Sequence, residues 1–162
     1  MRWIAVLMSA SALVACGNGG ETVDQAGAAA APNGSEDTPA PVSSVNLSAL
    51  PAPYDTADYD LGRRLFRRCG SCHTVAEAGS HRVGPNLYGL FGSEVGSAEN
   101  FNYSQVLRDA DFIWTPEQLD SWLANPREFL PGNRMSFVGL RDAEERRNVI
   151  AYLMYETGAA SD

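Results

Sequence analysis

Cys69-Gly70-Ser71-Cys72-His73 is the stretch on which the reading of this 162-residue chain turns. Two thiols three residues apart lie one helical turn apart, so both can face a single flat ligand and add across its two vinyl groups. His73 follows Cys69 by four residues and falls on the same face, within reach of an iron at the centre of that ligand. C-x-x-C-H is the attachment sequence of c-type haem, so the expected cofactor is one covalently bound haem c with His73 as proximal ligand. The rival readings are poorly supplied. A structural zinc site needs four ligands, and outside the motif the chain offers only Cys16 and His81. A thioredoxin-like pair needs a strand before it and a βαβ setting, whereas the residues before Cys69 read as helix.

On the N-terminal side, Asp58 or Asp60 can cap a helix with Leu61, Leu65 and Phe66 on one side and Arg63, Arg64, Arg67 and Arg68 around the rest. On the C-terminal side, Gly79, Gly84, Pro85, Asn86, Gly89, Gly92 and Gly96 mark a long ordered loop from Thr74 to Phe101. Thr115-Pro116-Glu117-Gln118 joins an N-cap, a proline at the first helical position and a capping-box Gln. The helix it starts must stop before Pro126 and has an apolar face of Leu119, Trp122 and Leu123. A last helix runs from Asp142 to about Glu156, with Val149, Ile150, Leu153 and Met154 on its apolar side and Gly158 beyond its end. No alternating pattern appears, so the expected fold is all-α, four to five helices with long loops around one haem.

The sixth position on the iron separates electron carriers from oxygen-binding and peroxide-using proteins. Of the methionines, Met1 and Met8 fall in an N-terminal leader and Met154 in the regular last helix. Met135 lies in the turn-rich Pro131-Gly132-Asn133-Arg134-Met135, where a side chain can be aimed inward. As a ligand its thioether favours ferrous iron; the other reading is a loop methionine filling a gap in the core.

Met1 to Ala15 has one Arg, an apolar run and small residues before a cut site, the shape of a secretory signal peptide. It is shorter than the about 20 apolar residues a membrane span requires. Leu13-Val14-Ala15-Cys16 resembles a bacterial lipobox, which makes Cys16 the lipidated first residue of the exported protein; a stray thiol in an ordinary signal peptide is the alternative. From Gly17 to Pro53 the composition turns to Gly, Ala, Ser, Pro and Asn with Glu21, Asp24, Glu36 and Asp37, and reads as a flexible tether. As a coil it reaches roughly 33 Å. Three segments are therefore expected: signal peptide 1–15, lipidated Cys and tether 16–53, and a monohaem domain 54–162.

From about Asp58 to Gly158 the chain resembles class I cytochrome c of the mitochondrial and alphaproteobacterial type. The resemblance rests on Arg67 to Val75 around the motif, Gly84-Pro85-Asn86-Leu87-Tyr88-Gly89-Leu90-Phe91-Gly92, Trp114, Asn125-Pro126 through Pro131-Gly132, and Met135-Ser136-Phe137-Val138-Gly139-Leu140. It implies His73 and Met135 as axial ligands, with the Pro85 carbonyl taking the His73 imidazole proton. It further implies Tyr103 and Trp114 at a haem propionate, Phe137 and Trp122 along the haem, and Gly62, Phe66, Val149 and Tyr152 at the crossing of the first and last helices. His81 matches a position that braces two loops. Three positions depart from the pattern: Trp122 replaces a common Tyr, Leu107 a buried Asn, and Ser93 an Arg near a propionate. They imply a drier, differently tuned haem environment.

The formal net charge is −8, and the tether holds four of the acids. There is no Lys, and Arg68, Arg82, Arg127, Arg134 and Arg141 occupy positions that ring the haem edge in similar proteins, interrupted by Glu128 and Asp142. Acidic docking patches on redox proteins are the expected partners: a cytochrome bc-type complex on one side, a terminal oxidase or photosynthetic reaction centre on the other. The acidic balance disfavours nucleic acid. The expected role is an electron carrier, not an enzyme, with no small-molecule substrate, on the periplasmic side of a bacterial envelope and attached to its membrane through the lipid on Cys16. A haem peroxidase or a redox sensor with a displaceable methionine is the alternative.

Overall fold

The computed structural model describes residues 45–159. The expected signal peptide, Cys16 and residues 17–44 of the expected tether lie outside the described residues.

Among the described residues, five α-helices follow a short 3-10 turn at Tyr54–Thr56: α1 Tyr59–Phe66, α2 Gln105–Arg108, α3 Pro116–Ala124, α4 Pro126–Phe129 and α5 Ala143–Glu156. The architecture is all-α, with one isolated antiparallel bridge, Glu94 to Ile113, and no strand among the described residues.

Each long helix starts where a side chain can take its free N–H groups. Asp58, rather than Asp60, caps α1 by accepting from the Leu61 N–H at 2.8 Å. Thr115 accepts from Gln118 ahead of Pro116 in α3, and Asp142 accepts from both Glu144 and Glu145 at the start of α5. Pro126 ends α3 and opens α4, capped by Asn125.

α1 crosses α5 at Gly62. A methyl group there would stand 2.1 Å from the Asn148 carbonyl oxygen and 2.8 Å from Tyr152 Cβ, so only glycine lets the helices meet this closely. Phe66 then packs on Tyr152 with ring centroids 5.2 Å apart. The Asp58 N–H donates to the buried Asn148 side-chain oxygen, tying the start of α1 to α5. Leu119 and Leu123 of α3 join Val149, Ile150, Leu153 and Met154 of α5 in the core.

One boundary differs from expectation. Leu47 and Leu50, assigned from composition to a tether ending at Pro53, are buried core residues, with Val45 packed beside them. A turn closed by the Leu50 N–H on the Leu47 carbonyl brings both leucines inward. The folded part thus includes residues 45–53, a strap laid on the helical domain ahead of Tyr54.

Candidate haem-binding site

α1 delivers the chain to the motif. Beyond Phe66 the backbone continues in turns: Gly70 N–H to the Phe66 carbonyl, Cys72 N–H to the Cys69 carbonyl at 2.9 Å, and His73 N–H to the Cys69 carbonyl at 3.0 Å. This single helical turn brings Cys69, Cys72 and His73 to one face. Both cysteines are free thiols and half-buried. Burial pushes the Cys69 thiol up to about 11, Arg68 opposing and Cys72 adding.

The imidazole of His73 is seated from two sides. Its Nδ1 lies 2.7 Å from the Pro85 carbonyl oxygen; since a carbonyl only accepts, Nδ1 carries the proton and donates, leaving the lone pair on Nε2. The ring rests on Gly84, where a methyl group would fall 2.3 Å from Cε1 and 2.7 Å from Nε2. The Gly84 N–H donates to the Cys72 carbonyl at 2.9 Å, fixing this seat to the motif. Burial lowers the His73 pKa and the Pro85 contact works against it, so burial favours the neutral, ligating form.

The long loop is held by its own polar groups. Asn86 donates to Thr74 Oγ1 and the Ala76 carbonyl and accepts from the Tyr88 N–H. His81 accepts the Asn86 N–H at Nδ1 and donates from Nε2 to the Glu99 carbonyl at 2.7 Å, tying two parts of this loop together.

Met135 is half-buried against the core. Asn133 organises its approach: the side-chain amide donates to the Pro126 and Leu130 carbonyls, and its oxygen accepts the Met135 N–H at 2.9 Å. Phe137, two residues on, lies under the Arg68 guanidinium, 5.3 Å from ring centroid to Cζ. The Met135 loop is thereby brought beside the residue that precedes Cys69.

Trp114 and Trp122 are buried and meet edge-to-face at 5.6 Å; Phe112 packs on Trp114, and Phe129 packs on Trp122 and on Phe112. Tyr103 is half-buried against Phe101, and burial raises its phenol pKa while the Ala98 backbone acts against this. Leu107 is half-buried on the core, and Ser93 gives its hydroxyl proton to the Leu90 carbonyl at 2.6 Å.

These residues fit a haem. Cys69, Leu87, Leu90, Phe91, Leu130 and Met135 are half-buried apolar side chains packed on the core, the kind of surface that a flat apolar macrocycle would cover. Among the described residues no three His, Cys, Asp or Glu side chains converge to hold a metal ion, which leaves zinc without a ligand set there. A cleft of about 600 Å³ lies elsewhere, lined by Pro53, Tyr54, Glu117, Asp120, Ser121 and Arg147 among others, and contains none of the motif residues.

The family model for cytochrome c matches residues 59–156, from the first residue of α1 to the last of α5. This chain belongs to the cytochrome c family. It is 36% identical to cytochrome c of Kluyveromyces lactis over 65% of this chain and 96% of that protein. It is 35% identical to cytochrome c2 of Agrobacterium tumefaciens over 63% and 95%. A cytochrome c homolog of Bradyrhizobium diazoefficiens is 42% identical over 60% of this chain and 54% of its own length. As a cytochrome c, the chain carries one covalently attached haem c, transfers electrons and works with redox protein partners.

Arg68, Arg82, Arg127, Arg134 and Arg141 are all exposed. Arg82 also donates to the Gly70 carbonyl inside the motif, and Arg134 to the Asn102 carbonyl. Sequence reasoning passed over Asn133 and the pair Arg146–Asp120. Asn133 carries a turn signal after Pro131-Gly132; Arg146 carries none, because its ion-pair partner on α3 is remote in sequence.

Proposed function

We propose that this cytochrome is a membrane-tethered monohaem electron carrier in which Cys69 and Cys72 would hold the haem and His73 and Met135 would be the ligands of its iron. The observation that carries the reading is the seat of His73, pinned through Nδ1 to Pro85 over Gly84 with both thiols on the same helical turn. When bound, the haem supplies a one-electron ferric/ferrous couple. Pro85 orients the imidazole and raises its basicity, while the Met135 thioether favours the ferrous state. Tyr103 and Trp114 would hydrogen-bond a propionate of the bound haem, and Phe137 and Trp122 would wall it. No substrate is transformed.

Arg68, Arg82, Arg127, Arg134 and Arg141 steer the haem edge onto acidic patches of a cytochrome bc-type complex and of a terminal oxidase or photosynthetic reaction centre. Lipid on Cys16 holds the chain at the periplasmic side of the membrane, and the tether raises the effective concentration at partners within reach. The names of the Kluyveromyces and Agrobacterium proteins, cytochrome c and cytochrome c2, support the carrier reading.

The test is optical and chemical. The matured full chain is expected to show covalent haem and, when ferric, the weak far-red absorption band of a thioether sulfur on haem iron. Covalent haem without that band overturns Met135 ligation and moves the peroxidase or sensor reading ahead. Mass spectrometry of the N-terminal peptide is expected to find acyl chains on Cys16, and Cys16→Ser is expected to release the protein from membranes; a soluble, unmodified wild type removes the tether.

A further inference from the structure

Arg146 of α5 binds two other parts of the fold at once. Its Nε donates to Asp120 Oδ1 at 2.7 Å and its Nη2 to Asp120 Oδ2 at 3.3 Å, a fork onto α3. Its Nη1 donates to the carbonyls of Leu140 and Arg141, each at 2.9 Å. The Arg146 side chain is only 12% exposed. The Leu140 N–H donates to the Leu123 carbonyl at 2.7 Å, so both polar groups of Leu140 are held. The chain leaving Met135 is therefore fastened at Leu140, as the chain entering it is fastened at Asn133. Between these anchors Ser136 and Val138 are exposed, Val138 at 78%.

We infer that Arg146, backed by Asp120, is the positioning residue that holds the Met135 loop closed and so keeps the thioether on the iron. The inference rests on Met135 being the sixth ligand, as proposed above. A guanidinium bonding a carbonyl is a charge-assisted contact, stronger than a neutral one and less screened when little exposed. Both carbonyls lie at the C-terminal anchor of the Met135 loop, the point against which the loop must lift. Without the guanidinium, they and the Asp120 carboxylate lose their donors, and the closed arrangement loses its advantage over the lifted one. Lysine does not replace it, because a compact ammonium cannot keep the planar fork on Asp120 while reaching both carbonyls.

Imidazole, which competes for the position Met135 occupies, tests this in the ferric holoprotein, with loss of the far-red band as the signal. Arg146→Gln is expected to bind imidazole about tenfold more tightly than the unaltered protein, since the loop then yields more easily. Arg146→Lys is expected in between and Asp120→Asn to move the same way by less. Arg147→Gln, which removes only a 3.5 Å contact to Glu144, is expected to leave the affinity unchanged. Guanidinium unfolding of the same proteins separates general loosening, which lowers the midpoint and leaves imidazole affinity alone. Unchanged imidazole affinity in Arg146→Gln overturns the inference; if that variant does not fold, unchanged affinity in both Arg146→Lys and Asp120→Asn does so. A missing far-red band in the unaltered protein overturns the Met135 reading itself, which tells the two failures apart.

Discussion

Gly84 supports the His73 ring so closely that its lack of a side chain is part of the site. A methyl group 2.3 Å from Cε1 cannot be accommodated, and the ring would have to swing away from the Pro85 carbonyl that sets its tautomer. Gly84→Ala is expected to cost about 1–3 kcal/mol from overpacking and to lower the yield of covalently attached haem. Haem content per polypeptide and the unfolding midpoint measure this; wild-type values for both would mean that the ring has another seat. Trp122 is the second residue at this scale. Buried between Trp114 and Phe129, it offers only an N–H donor where similar proteins have a phenol that both donates and accepts. Trp122→Tyr is expected to shift the midpoint potential in a redox titration, and an unchanged titration removes this position from those that tune the iron.

Among the elements, the strap at residues 45–53 is the addition to the expected domain. Leu47 and Leu50 are 5% and 4% exposed, and Tyr54 follows them into the core. Leu50→Ala is expected to cost about 2–5 kcal/mol, and a chain starting at residue 54 to unfold at a lower midpoint than one starting at residue 45. Equal unfolding midpoints for the two truncations would show that the strap contributes nothing. Its packing was not legible because Val45, Leu47 and Leu50 are scattered through Ser, Ala and Pro residues, too few to set a period and too distant from their core partners to suggest them. The helices were legible for the opposite reason. Asp58, Thr115-Pro116 and Asp142 are local start signals, and Gly62, Phe66 and Tyr152 fit the helix crossing that the resemblance implied. α2 and α4 are four residues each, too short for helical periodicity to show. The site divides the same way. The spacing of Cys69, Cys72 and His73 announces itself, while Asn133 and Arg146 act through backbone carbonyls that any sequence supplies.

Across the whole molecule, the packing seams are lined with phenols, and this sets how the fold responds to alkali. Tyr54 stands on the 3-10 turn that follows the strap, Tyr59 on α1 and Tyr152 on α5, with Tyr103 on the long irregular stretch. Burial is the first cause that holds all four above their ordinary 10.0. For Tyr59 the Glu156 carboxylate, accepting its O–H at 2.5 Å, adds to burial and makes the rise the largest of the four. In the unfolded chain these phenols titrate near pH 10. A folded pKa above the unfolded value means that their contribution to stability is complete below that pH. It is lost as pH rises through the folded values, because the unfolded chain releases its protons first. Guanidinium unfolding from neutrality to about pH 11 is therefore expected to show a steepening loss of stability above pH 10. Tyr59→Phe is expected to lower neutral stability by about 1 kcal/mol through the lost Glu156 hydrogen bond and to make the alkaline decline shallower, since one of the four titrations is gone. The variant starts lower at neutral pH and loses less above pH 10, so the curves of the two proteins converge as pH rises; parallel curves would show that the Tyr59 phenol titrates alike in both states.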